Sequence, residues 1–200
     1  MISCTNLTFS ELQTTFQLIS NHLSQDEKHF KSLEINSGEM ATNLLVDNSF
    51  SDLTFEKLSM DNVNRIHNKA FGRTAQTLIS FWCMACSIEY LPPNHDFWKA
   101  ISQLTKVTSV TLNVNVAEIP QNMIIPPNGT ESQIQLIWFY NFHQNMTLKA
   151  GAFQNLNKIH AIYLWANFNK IEKSAFKLNQ KSDKRLDIYR KILSIRRVLS

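Results

Sequence analysis

Cys83-Met84-Ala85-Cys86 is the one stretch with a spacing that could do chemistry by itself. Two thiols three residues apart suit a redox pair, or half of a zinc site. A second such pair or a nearby His pair would complete a metal set, and the sequence has neither. The six histidines, His22, His29, His67, His95, His143 and His160, are scattered along the chain. No HExxH, no serine elbow and no paired acids appear. Only 4 glycines are present, which argues against a Gly-rich phosphate loop. The expectation is a protein without enzymatic activity, metal or cofactor, in which Cys83 and Cys86 are structural. The two are read as buried thiols on core positions. Direct pairing across so short a loop is the alternative, at a cost in strain.

The elements that carry these residues show in KIHAIYLWANFNKIEKSAF, Lys158 to Phe176. Apolar residues alternate through Ile162 and Leu164, stop at Asn167, and resume at Ile171 and Ala175-Phe176. Alternation of period two marks a short strand. The ending recurs as an aliphatic residue, three spacers, a small residue and Phe. Leu45 leads to Ser49-Phe50, Ile66 to Ala70-Phe71, Leu148 to Ala152-Phe153, and Ile171 to Ala175-Phe176. Ile119 leads to the looser Met123-Ile124, and Leu91 runs into Pro92-Pro93. From Ile66 the anchors fall at 66, 91, 119, 148 and 171, spaced 25, 28, 29 and 23. Upstream, Phe55, Leu58 and Met60 hold the first, fourth and sixth places of a unit. The same places are held by Leu78, Phe81, Cys83; Val107, Val110, Leu112; Ile134, Ile137, Phe139; and Ile159, Ile162, Leu164.

Such a period fits leucine-rich repeats, in which one unit cannot bury its apolar face and stacked units share a core. The predicted fold is an α/β leucine-rich-repeat solenoid. A curved parallel sheet lines its concave side, and turns and short helices line the convex side. The chain resembles leucine-rich-repeat proteins over residues 30–189. AGAFQNLNKI, KIEKSAFKL and SDKRLDI are similar to an extracellular arthropod group that includes the non-catalytic subunit of Oplophorus luciferin monooxygenase. Units ending at Ile119 and Ile171 are one residue shorter than that pattern, and YRKILSIRRVLS departs from it after Ile188. The resemblance implies that Asn115, Asn167 and Cys86, three residues past the sixth position, turn inward, and that the asparagines bond turn backbone. It also implies a non-catalytic binding role.

Residues between the core positions of such a strand face the concave side. There lie Ser59, Trp82, Thr111, Trp138 and Tyr163, followed by Asp61, Met84, Asn113, Tyr140 and Trp165. Three of the 4 tryptophans share this face, and Trp and Tyr dominate binding hot spots. The expected ligand-binding residues are Trp138, Tyr140, Tyr163 and Trp165, with Trp82 peripheral. Small neighbours such as Ala161, Ser109 and Asn113 are expected to leave room between the rings for a partner's side chains. Sliding IQLIWFYNF by one residue would instead bury Trp138 and expose Phe139.

Residues 1–29 are read as an N-terminal cap, with a helix over 10–24 started by a Ser10/Gln13 capping box. Residues 190–200 are read as a basic tail or cap. The 200 residues carry a net charge of +4 with 44% hydrophobic and 18% charged residues. That is globular, and too weakly basic to imply nucleic acid. No apolar run reaches the roughly 18 residues of a membrane span. Asn6-Leu7-Thr8, Asn128-Gly129-Thr130 and Asn145-Met146-Thr147 are candidate glycosylation sites. MISCTNLTFS is not a signal peptide. With family resemblance and sequons, the expectation is a secreted protein whose leader precedes Met1 and whose Cys4 lacks an upstream partner. Its partner is expected to be a protein, with glycan or lipid as other classes. An intracellular scaffold, or a subunit stabilising a partner enzyme, is the alternative.

Overall fold

The computed structural model describes residues 2–5, 8–36, 44–63, 65–87 and 97–178. Asn6, the repeat region beyond 178 and the basic tail 190–200 lie outside the described residues. Seven strands stack side by side and all pair in parallel, in the order β1 (Ile2–Thr5), β2 (His29–Asn36), β4 (Thr54–Asp61), β6 (Ser80–Ser87), β7 (Ser109–Asn115), β9 (Leu136–Leu148) and β10 (Ala161–Ile171). Strand order follows chain order, so the backbone winds as a parallel solenoid with few helices. Two-residue strands add to this: β3 (Leu44–Leu45) pairs β5 (Arg65–Ile66) in a separate two-stranded sheet, and β8 (Glu118–Ile119) joins the main sheet beside β9.

The register follows the apolar period. Cys4, Ile35, Met60, Cys83, Leu112, Phe139 and Leu164 align across the sheet. All seven are buried. One pleat earlier, Leu33, Leu58, Phe81, Val110, Ile137 and Ile162 form a parallel inward column. The aliphatic anchors also stand in register: Leu45 with Ile66, Ile119 with Leu148, and Leu148 with Ile171. After Leu45, Ile119, Leu148 and Ile171 the chain turns, and a residue with positive φ stands three positions on, at Asn48, Asn122, Gly151 and Ser174. Gly151, at φ +65, meets that demand without the Cβ clash of other residues. Phe50, Phe71 and Phe153 then enter the core from the side opposite the sheet. Phe50 packs on Phe16, Phe55 and Phe71 with ring centroids 5.8, 5.7 and 6.3 Å apart.

The N-terminal end is closed by α1 (Phe9–His22). Its first turn is fixed by Thr8 and Glu11, not Ser10 and Gln13. Glu11 N donates to the Thr8 hydroxyl at 3.3 Å, and Thr8 N to the Glu11 carboxylate at 2.8 Å. A carboxylate is a stronger acceptor than the Gln amide, and it lies at the positive end of the helix dipole. Leu12 and Phe16 bury the inner face. At the other end of the helix, Ser20 donates to Asp52, which also holds Lys28 at 2.6 Å. Strand β1 was not expected from the sequence. It places Cys4 in the core column as a buried free thiol, so an upstream partner is not needed to account for it. Burial raises the pKa of that thiol. The short helix α2 (Phe97–Ser102) lies between β6 and β7 in the chain and buries Trp98.

Candidate binding face

The outward pleats of β2, β4, β6, β7, β9 and β10 form one continuous face of the sheet. Pairing places Glu34, Ser59, Trp82, Thr111, Trp138 and Tyr163 in one row. Asn36, Asp61, Met84, Asn113, Tyr140 and Trp165 flank it, though between β6 and β7 this second row is broken by a bulge. Phe139 is buried and Trp138 is half-buried, so Trp138 faces outward and Phe139 inward.

Four of the five expected rings form one group across β9 and β10. Trp138 lies face to face with Tyr163, centroids 4.0 Å apart and planes 15° apart. Trp165 stacks on Trp138 at 5.3 Å and 9°, and on Tyr140 at 5.0 Å and 4°. All four residues are half-buried. A correction follows: the rings lie against one another, and the 4.0 Å between Trp138 and Tyr163 admits no side chain. Pairing of Trp138 with Tyr163, and of Tyr140 with Trp165, places aromatic residues directly opposite on strands about 4.8 Å apart. Tyr163 thus covers part of Trp138. Trp82 stands apart, between Ser59 and Thr111, and is 50% exposed.

Acidic groups lie on other strands. Asp61 is on β4, where burial first and the Glu34 charge second raise its carboxyl pKa. On the turns that follow the anchors, Lys149 sits between Glu118 at 3.3 Å and Glu172 at 3.5 Å, and its pKa is raised chiefly by Glu118. Two open clefts of about 940 and 820 Å³ adjoin there, and Gln103 and Pro127 line both. Each has a single acidic side chain, Asp47 in the first and Glu118 in the second. Among the described residues no group of three or more His, Cys, Asp or Glu side chains gathers for a metal ion. No described helix is long and apolar enough to cross a membrane.

Asn115 is exposed, and Asn167 is half-buried and makes no side-chain hydrogen bond among the described residues. The extended backbone continues to Asn115 in β7 and well past the corresponding position in β9 and β10. Parity therefore turns the second residue after the sixth inward, not the third. Val114, Asn141 and Ala166 occupy that place and are buried. Asn141 does the expected work: its Nδ2 donates to the Val116 carbonyl at 2.6 Å. Cys86 reaches the same column only because β6 bulges, with Ala85 at φ +51 and Cys86 opposite Val114. The bulge puts Cys83 and Cys86 on one side, and they are joined by a disulfide rather than left as free thiols. Asn128 and Asn145 are exposed.

No family model matches the chain, and no characterised protein matches it in sequence.

Proposed function

We propose that this chain is a leucine-rich-repeat binding module that acts outside the cell, without enzymatic activity, and recognises a protein partner through its concave face. The repeat period, the register of the anchors and the resemblance to the extracellular arthropod group support the repeat class. The observation that carries the functional reading is the aromatic content of one solvent-facing pleat. Trp82, Trp138, Tyr140, Tyr163 and Trp165 share a surface that a plain solvated sheet would fill with polar groups. The Cys83–Cys86 disulfide supports an oxidising compartment, as do exposed sequon asparagines Asn128 and Asn145. The packed rings favour a partner that meets their edges with apolar groups and backbone carbonyls. Binding should then depend weakly on salt.

The test is capture of a partner by the immobilised chain from the secretions of its own tissue. Trp138→Ala and Trp165→Ala, each checked for an intact fold, should weaken the captured complex by more than about 1–2 kcal/mol. Unchanged affinity in both variants, or affinity that collapses between low and moderate salt, would count against the reading.

A further inference from the structure

Trp82 has a different setting from the other rings. Its neighbours across the sheet are Ser59 and Thr111, too small to lie over an indole, and half its surface is open. Beside it the concave face sinks into a dent of about 250 Å³. Its floor is the backbone at Leu33 and Leu58, whose side chains turn inward to the core. The rim is polar: Ser32, Glu34, Lys57, Ser59 and Ser80. Register explains the gathering, because Ser32 pairs with Lys57, Lys57 with Ser80, Glu34 with Ser59, and Ser59 with Trp82. None of the three serine hydroxyls, nor the Lys57 ammonium, makes a side-chain hydrogen bond or ion pair among the described residues.

We propose that this dent binds a single neutral hexopyranose unit, the terminal sugar of a glycan. The inference rests on the reading of the concave sheet as the binding face and names a second ligand class on it. Size limits the ligand to about one ring, since the dent is smaller than the roughly 300–1,000 Å³ of sites that enclose a drug-sized molecule. The chemistry selects the ring type. A pyranose has one face of C–H groups, which fits an open indole, and a rim of hydroxyls that both donate and accept. Ser32, Ser59 and Ser80 can do both in return, Glu34 accepts and Lys57 donates. An apolar side chain seated here would strip water from these five groups and return no hydrogen bonds. One acid and one base leave no net charge to select a charged sugar.

The experiment uses the full chain alone and a panel of methyl hexopyranosides of gluco, galacto, manno and N-acetylglucosamine configuration. Saturation-transfer NMR reads binding and identifies the ring protons nearest the protein. At least one glycoside should bind saturably with a Kd in the millimolar range and show its strongest transfer at the C–H protons of one face. Trp82→Ala should weaken it at least tenfold. Ser59→Tyr, which lays a ring over Trp82 as Tyr163 lies over Trp138, should abolish binding with the far-UV spectrum unchanged. No binding by any member of the panel at about 50 mM, far above the millimolar range of a weak single site, overturns the proposal. So does binding that survives either variant. Because no protein partner is present, a negative result here with the ring group still capturing its partner removes only the sugar site.

Discussion

Asn141→Ala is the sharpest probe of the strand register. It removes the 2.6 Å bond from Nδ2 to the Val116 carbonyl. Asn141 is fully buried and Val116 is 3% exposed, so water does not replace the lost donor. A buried carbonyl left without a partner costs about 1–3 kcal/mol. The Oδ1 of Asn141 is itself buried without a partner, so truncation also removes one desolvated acceptor. That offset places the net loss in the lower half, about 1–2 kcal/mol. For a chain of 200 residues, each kcal/mol moves the melting point by roughly 2–4 °C, giving a fall of about 2–8 °C. Asn115→Ala, at an exposed position with no such bond, should stay within about 0.5 kcal/mol of the parent. Thermal melts followed by far-UV circular dichroism at neutral pH compare the two directly. A melting point lowered as much by Asn115→Ala as by Asn141→Ala would refute the reasoning, as would a neutral Asn141→Ala.

Two further outcomes follow from the cap and the cysteines. Unfolded without reductant, the chain should take up a single maleimide label at Cys4, and with reductant three; folded, Cys4 should react slowly because its thiol is buried and its pKa raised. Three labels without reductant would dismiss the disulfide. Stability should also fall in acid, because Glu11 and Asp52 have lowered pKa values, the first through its bonds to Thr8 and the second through Lys28 and Ser20. A carboxyl held below its unfolded pKa stabilises the fold above that value, near 4, and the contribution is lost as pH drops through the folded pKa. Asp52→Asn should flatten part of the decline in melting temperature below about pH 4, and an unchanged acid limb in that variant would argue against the Asp52 contribution.

The core columns and the outward row were legible in the sequence because each strand's inward parity is repeated in its neighbours. Phe81, Val110, Ile137 and Ile162 constrain one another, and a slip in one unit would expose its whole apolar set. The same redundancy placed Trp138 outside and Phe139 inside. Features that occur once had no such support. The four residues of β1 precede the helix and have no copy to match. The bulge at Ala85 depends on a positive φ that an alanine does not announce. The Asn column was misplaced because the repeat pattern says where a strand should end, whereas β9 and β10 run on past that point. The packing of Tyr163 on Trp138 depends on side-chain torsions, which spacing along a chain does not encode.

The two indoles of Trp138 and Trp165, 5.3 Å apart and 9° from parallel, have a consequence of another kind. Chromophores that close and that aligned share their excitation, so the ultraviolet circular dichroism of the folded chain should carry an exciton-coupled band that isolated tryptophans lack. One partner in the pair is on β9 and the other on β10, and the band therefore reports the distance between two neighbouring coils. Trp82 on β6 and the buried Trp98 of α2 emit as separate sources. The coupled pair is thus a built-in optical reporter for the integrity of the β9 and β10 coils.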